Sequence, residues 1–353
     1  MNLIAHDLVI VQPMSSMSGY INYLEYTAGS NKGTTTQGTV LNSPFGLGNV
    51  DSAYTSKSVV ETFVGDASTK SFTLAWTPVA KVGKVLVDDV ETEFTVEGAV
   101  VTIGTAPAKD SKVRIAYEYD NEVIPQNDIP TINVRVAAKP LIAKARRVAI
   151  YYSQIAAFQA KTDYGFDLGD QLAEKAIGQL SYEIDTEVTD LLIANAEHDT
   201  TLEWSRTIPN AVSKAEHYEG FAEVVEIAKQ IIYDRTKRFA PNYMLIASNI
   251  LPILVFIKGF KAADTKNING PYFAGTLNGV KVFVTPNIEA GKFILGVNGD
   301  DLMSSAAVYA PYMAVVPTQL LGYADGGNSQ GFSTLYALEM LNANLLVAGK
   351  VVA

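Results

Sequence analysis

The sequence contains no cysteine, only three histidines and only two tryptophans among 353 residues. Without cysteine there is no disulfide, no zinc knuckle and no thiol nucleophile, and the absence fits assembly in a reducing compartment. Charge is also scarce. Asp, Glu, Lys and Arg make up 18% of the chain while apolar residues make up 48%. A monomer ordinarily carries more charge to keep its surface in water, so this balance favours a subunit that buries surface against other copies. Positive charge is the scarcer sign, 27 Lys and Arg against 37 Asp and Glu, for a net charge of −10. That deficit argues against a dedicated nucleic-acid binder, which needs clustered bases to neutralise phosphate. Long apolar runs are missing too. Met244 to Ile257 is about 14 residues and contains Asn249 and Pro252, whereas a membrane-spanning helix needs roughly 20. The opening Met1-Asn-Leu-Ile-Ala-His-Asp7 shows neither a basic n-region nor a small-residue cleavage site, so a soluble chain is expected.

Catalytic and metal-binding patterns are equally thin. His6, His198 and His217 have no carboxylate or second His at ligand spacing, and no HExxH occurs. Gly327-Asn-Ser329-Gln-Gly331 matches the G-x-S-x-G nucleophile elbow. That chemistry runs in the chain order Ser, acid, His, and no His follows His217, so the stretch reads as a Gly-rich turn. Gly46-Leu-Gly48-Asn-Val-Asp51 lacks the third glycine of a dinucleotide fingerprint. Asp88-Asp89 and Asp300-Asp301 sit at expected turns, where hairpin chemistry is the default and a weak cation site the alternative. The expectation is no enzyme, no cofactor and no metal.

What the chain does have is a clear order of textures. Residues 1–56 are irregular and glycine-rich after an apolar Leu8-Val-Ile-Val, and read as an extended arm. Residues 57–120 are different in kind. Short β-branched and aromatic runs (Val59–Val64, Ser71–Trp76, Lys84–Val87, Glu93–Val96, Val100–Ile103, Lys112–Tyr119) alternate with turn signals, which marks an inserted small all-β module. Extended segments punctuated by Pro125, Pro130 and Pro140 follow over 121–140.

Charge then separates along the chain. Between Asp128 and Asp163 there is no acid, while Arg135, Lys139, Lys144, Arg146, Arg147 and Lys161 are all basic. From Asp163 to Glu203 the only Lys or Arg is Lys175, among acids that include Asp170, Glu174, Glu183 and Glu187. Leu168, Leu172, Ala176, Ile177, Leu180, Ile184, Val188, Leu191 and Leu192 recur at steps of three and four, a single apolar stripe. With Asp167 as N-cap, this predicts a helix of about 28 residues, roughly 40 Å long. Its acids are either a solvated face or the partners of a basic strip on a neighbouring copy. Arg135, Lys144, Arg146 and Arg147 facing Asp170, Glu174, Glu183 and Glu187 are the candidate intersubunit charge contacts.

A second amphipathic helix is expected from Tyr218 to Arg238, stopped by Pro241. A mixed block follows, with the Tyr243–Ala247 segment, a short helix over Asn249–Lys258, and strands at Val280–Thr285, Phe293–Val297, Ala306–Ala310 and Met313–Val316. Two apolar runs, Phe332–Met340 and Leu345–Val351, close the chain.

In this order the parts resemble the tailed-phage major capsid fold, an α+β architecture, and the residues look closest to its T-even-type branch. The similarity is carried by Asp7-Leu-Val-Ile-Val-Gln12-Pro13-Met14, the basic Val134–Arg147 strand with the Asp163–Ala196 spine, Gly279-Val-Lys-Val-Phe-Val-Thr-Pro286, the Tyr309-Ala-Pro-Tyr312 turn and Gly331-Phe-Ser-Thr-Leu-Tyr-Ala337. The resemblance implies an N-terminal arm (1–56), an inserted β module in the E-loop region (57–120) and an E-loop return (121–140). A peripheral domain with the spine helix (141–240), an axial domain (241–325) and return strands to the peripheral domain (326–353) would follow. It implies copies assembling in the host cytoplasm into hexamers and pentamers of an icosahedral or prolate head in the virion. Portal, scaffold and decoration proteins would be further partners, and the head would enclose double-stranded DNA without sequence-specific binding and without a membrane. Related chains carry an N-terminal segment that a protease removes, and this chain starts near the mature end of that pattern. An encapsulin-type compartment shell and a secreted β-rich adhesin are the alternatives.

Overall fold

The computed structural model describes residues 3–31, 35–45, 54, 58–120, 129–210, 212–264 and 270–352. Gly33, the Gly46–Asp51 stretch and Val123–Pro125 lie outside the described residues. The chain divides into two units, one of Met1–Tyr23, Pro44–Gly46 and Ala138–Ala353, the other of Leu24–Ser43 and Leu47–Ala137. The described residues contain no helix long and apolar enough to cross a membrane.

The chain begins with a single turn of helix, α1 (Ala5–Leu8), and strands β1 (Ile10–Val11), β2 (Ser18–Ala28) and β3 (Val40–Asn42). The stretch read as an extended arm is anchored on the body at several points. Ala5, Leu8 and Val9 are buried in the largest hydrophobic core, and Ile21 is buried in a smaller one. Deleting everything before Pro44 therefore removes part of the core.

The second unit holds the β module, with β4 (Ser58–Val64), β5 (Ser71–Thr73), β6 (Val79–Val87), β7 (Val90–Glu91), β8 (Phe94–Glu97), β9 (Val100–Ile103) and β10 (Lys112–Tyr119). Two sheets, ordered β4-β10-β6-β7 and β5-β9-β8, close over a core of their own that includes Val59, Phe72, Val85, Val101, Ile115 and Tyr117. Asp88 and Asp89, at φ of 47° and 69°, turn β6 into β7 as a tight hairpin. The module is thus a small sandwich that buries its own apolar face. The remaining strand in this region is β11 (Ile132–Ile142), which joins β2 and β3 in the order β11-β2-β3. The boundary between the two units falls within β2 and β11.

The first unit continues with β12 (Lys144–Ser153), α2 (Gln154–Gln159), a π-helical turn at Ala160–Tyr164 and the long α3 (Leu168–Asn195). α3 has the expected 28 residues, and the Asp167 carboxylate caps it by accepting the N–H groups of Gly169 at 2.8 Å and Asp170 at 3.3 Å. Next come β13 (His198–Ser205), α4 (Lys214–Glu219), α5 (Phe221–Thr236), β14 (Tyr243–Ala247) and α6 (Leu251–Leu254). The expected 218–238 helix is two pieces. Ser213 and Glu216 form a capping box that starts α4 early. Lys237, left-handed at φ 57°, ends α5 before Pro241 is reached. The helix expected over Asn249–Lys258 shrinks to the four residues of α6.

The chain finishes with β15 (Phe260–Ala262), β16 (Tyr272–Leu277), β17 (Val280–Thr285), β18 (Lys292–Gly296), β19 (Ala307–Pro317), β20 (Leu321–Gly322), β21 (Gly327–Met340) and β22 (Leu346–Val352). The turn expected at Tyr309–Tyr312 is instead a register irregularity inside the continuous β19. A seven-stranded sheet runs β13-β22-β18-β14-β17-β16-β15. Its central β14 is buried at every position, consistent with its uninterrupted apolar sequence. A Cβ on Gly296 of β18 would lie 2.3 Å from the Tyr243 ring, so only glycine lets that ring pack there. The second sheet runs β1-β19-β21-β12, with β20 beside β21. The two closing strands separate, β21 into this five-stranded sheet and β22 into the seven-stranded one.

α3 serves both sheets. Leu172, Ala173, Ala176 and Leu180 pack on Val148, Ile150, Val315 and Phe332, while Ile184, Val188 and Leu192 enter the main core with α5. One apolar stripe therefore ties two sheets to one rod of about 42 Å.

Candidate functional site

The chemistry-bearing side chains form structural contacts. His217 Nε2 lies 2.9 Å from the Ser205 carbonyl, and His198 lies 3.1 Å from Glu203. Among the described residues no cluster of His, Asp and Glu could hold a metal. Ser329, the centre of the G-x-S-x-G match, lies inside β21 between Tyr151 and Leu321, where no strand-to-helix elbow exists. Asp301 caps the short 3-10 turn Leu302–Ser304. A cleft of about 480 Å³ is lined by Asp7, Asn242, Lys281 and Asn298 among others, but these groups already bond one another. Lys281 donates to Asp7 at 2.6 Å, Asn242 to the Asn298 carbonyl at 2.5 Å, and Asn298 to the Asp7 carbonyl at 3.1 Å.

The charged residues singled out in the sequence have two different fates. Arg146 and Glu187, expected to meet across copies, meet within one chain. Arg146 grips Glu187 with two parallel bonds of 2.6 and 2.8 Å and lies 5.2 Å above the Tyr336 ring. The Tyr336 hydroxyl donates to the same carboxylate at 2.8 Å. Burial pushes the Glu187 pKa up, but the bonds from Arg146 and Tyr336 outweigh it and hold the carboxyl below its ordinary value. Arg135 likewise pairs in its own chain, with the largely buried Glu25 at 2.5 Å. Both pairs arise from tertiary contacts: β11 lies beside β2, which brings Arg135 to Glu25, and α3 packs on β12, which brings Glu187 to Arg146.

Lys144, Arg147, Asp170, Glu174 and Glu183 have no ion-pair partner among the described residues, and Lys144, Arg147, Asp170 and Glu174 are exposed. Glu183 receives only a 3.3 Å hydrogen bond from Gln179.

Asp185 was one acid among many in the sequence, yet it is 7% exposed. Its carboxylate accepts the Ala5 backbone N–H at 3.0 Å and so pins the N-terminal turn to the long helix. Burial raises its pKa despite the N–H donors of Ala5 and Ile4. No local signal distinguishes Asp185 from the solvated acids around it.

Apolar side chains left in solvent form the other conspicuous feature. On β11, Ile132, Val134 and Val136 alternate on one face, and Val136 is 72% exposed. Arg135 and Glu25 meet on the opposite face, so Leu24 of β2 joins the exposed apolar side. Wide apolar exposure of this kind marks an interaction surface.

What these residues present to solvent is unpaired charge and apolar strand face. The chain belongs to the major capsid protein Gp23 family, whose model matches residues 1–352. It is 23% identical to the major capsid protein of Enterobacteria phage T6, over 96% of this chain and 75% of that one. To the major capsid protein of Enterobacteria phage T4 it is 24% identical, over 96% and 72% of the two chains. Among solved structures it is similar to the capsid of Myoviridae phage XM1, with 8% identity, a TM-score of 0.44 and coverage of 82% and 90%. It is a tailed-phage major capsid protein, and its place is the virion capsid.

Proposed function

We propose that copies of this chain associate as hexamers and pentamers into a closed icosahedral or prolate head that encloses double-stranded DNA without reading its sequence. The family match over nearly the whole chain carries this reading. The negative net charge suits a container that does not grip its contents. Function in this reading is packing alone, with no catalytic role.

Within the shell, the unpaired Lys144 and Arg147 of one copy face the unpaired Asp170, Glu174 and Glu183 of another. The apolar face formed by Leu24, Ile132, Val134 and Val136 also lies against a neighbour. The β module is carried as a separately cored insertion that can contact a neighbouring copy. Portal, scaffold and decoration proteins are the further partners of such a head.

Electron microscopy of the purified chain tests the reading. Rings, sheets or closed shells are expected, and persistent monomers at high concentration would overturn it. Charge reversal at Asp170 and Glu174 should weaken assembly at low salt and matter less at high salt, because exposed pairs are screened. Salt-independent assembly of that variant, equal to the wild type, would remove the charge contacts from the proposal.

A further inference from the structure

Where β12 and β20 flank Gly327–Ser333 of β21, the five-stranded sheet has one face covered by α3 and one open face; further along, at Val308, Ala310 and Ala337, that second face is closed by Ile21 and Leu141. Val148, Ile150 and Phe332 point to α3 and are covered by Leu172, Ala173, Ala176 and Leu180. The alternate residues on the same strands must therefore point away from α3: Arg147, Ala149 and Tyr151 on β12, and Ser329, Gly331 and Ser333 on β21.

The register fixes how this second face is built. Tyr151, Ser329 and Leu321 lie in one row across β12, β21 and β20, while Arg147, Ser333 and Val316 lie in another across β12, β21 and β19. Partners in register project to the same side. The small residues Ser329, Gly331 and Ser333 thus make the floor of a trough along β21. Arg147 and Ala149 form one wall, Leu321 and Val316 form the other, and the Tyr151 ring folds over Gly327 to close one end. The walls stand two strand spacings apart, about 10 Å, which is the width of one helix or one added extended segment. Tyr151 is 60%, Leu321 57% and Val316 44% exposed, and the half-exposed Tyr323 stacks obliquely on Tyr151 at 6.4 Å.

A trough of this composition in a monomer would be an association liability. Its charges are few. Asp325, at the rim, accepts the Tyr151 hydroxyl at 3.1 Å. Arg147, on the wall, has no acid within its own chain among the described residues. The same chain carries exposed and unpaired Asp170 and Glu174 on α3. Because α3 packs on the far side of the sheet, those acids cannot reach Arg147 intramolecularly. They can from another copy.

We propose that this bare trough is the seat of a second copy of the chain, docked with an acidic segment toward Arg147. The inference rests on the self-assembly reading and adds to it a particular face and its residues. Complementary charge together with the uncovered apolar walls identifies the occupant.

The absence of cysteine makes the test clean. Ala149→Cys places the only thiol of the protein at the exposed edge of the trough. Labelling with a maleimide is then followed in the free subunit and in assembled particles. The expected result is labelling slowed by at least about tenfold in particles relative to the unfolding-checked free subunit. Equal labelling in both would overturn the inference while leaving the capsid reading standing. Failure of the wild-type chain to form any particle would instead overturn the self-assembly reading beneath it. Should Ala149→Cys fold but not assemble, Ser329→Cys on the trough floor is read by the same criterion. A charge reversal, Arg147→Glu, gives a second readout. It should block assembly, and a compensating Glu174→Lys should restore part of it. Undiminished assembly of Arg147→Glu would remove Arg147 from the contact.

Discussion

Arg146 and Arg147 are neighbours in sequence and opposites in circumstance. Arg146 turns to the clothed side of the five-stranded sheet and is locked between Glu187 and Tyr336. Arg147 turns to the bare side and meets no acid among the described residues of its own chain. The same alternation holds where β12 and β20 flank β21. Phe332 is buried under α3, whereas Ser333, the next residue, lines the open trough. Strand geometry alone sorts these residues into two sets, one that stabilises the subunit and one that is available to other copies. A shell protein needs both on the same elements, because the rigidity of the clothed face fixes the shape of the bare one.

That division is broken most forcefully from the clothed side. Leu180 is fully buried on α3 between the sheet and the helix stripe. Leu180→Ala should cost about 2–5 kcal/mol of subunit stability, read as a lowered urea midpoint in the free subunit. Leu321→Ser on the bare side should leave that midpoint within about 0.5 kcal/mol of the wild type while reducing particle yield. A large loss of subunit stability in Leu321→Ser would mean the trough is held within the chain, and the contrast would collapse.

The arginine pair gives a smaller and sharper comparison. Arg146→Ala leaves a partly buried carboxylate without its bidentate partner. About 1 kcal/mol of destabilisation is expected once solvent screening at this partly exposed pair is allowed for. Arg146→Lys should recover only part of it, since an ammonium cannot match both carboxylate oxygens. Arg147→Ala should change subunit stability by less than about 0.5 kcal/mol. Equal costs at the two positions would show that the sidedness of β12 does not separate folding from association.

Much of this was legible in the sequence where the signal is local. The 3.6-residue stripe from Leu168 to Leu192 and the Asp167 cap specified α3, because helix geometry and capping depend on residues within one turn of each other. The β module was legible for the same reason, through short alternating runs and tight turns, although β7 was missed as too short to show a period. The N-terminal segment reads as an extended arm, but where it docks is not legible. Its β1 pairs in parallel with β19, with Ile10 beside Val308, and no local pattern announces a partner so far along the chain. The charges were seen but not their partners. Whether an acid on α3 faces water, as Asp170 does, or the N-terminal turn, as Asp185 does, depends on which elements pack around it.

Asp185 and Glu187 supply the smallest effect and the finest test of how burial and pairing compete on a single helix. They stand two residues apart, and their pKa values are displaced in opposite directions. Burial dominates at Asp185, where the backbone N–H groups of Ala5 and Ile4 and the nearby His6 oppose it without prevailing, and the folded pKa lies above the ordinary 3.8. Between 3.8 and that raised value the folded chain holds a proton that the unfolded chain has released. The stabilising contribution of Asp185 is therefore present at low pH and lost as pH rises through the folded pKa. Arg146 and Tyr336 dominate at Glu187, whose folded pKa lies below the ordinary 4.5. Its contribution is present above 4.5 and lost as pH falls through the folded pKa. The urea midpoints of Asp185→Asn and Glu187→Gln, each taken relative to the wild type across the acid range, should accordingly change with pH in opposite senses. Asp185→Asn gains on the wild type as pH rises, and Glu187→Gln gains on it as pH falls. Parallel slopes would mean that one of the two carboxylates does not sit in the surroundings that the helix gives it.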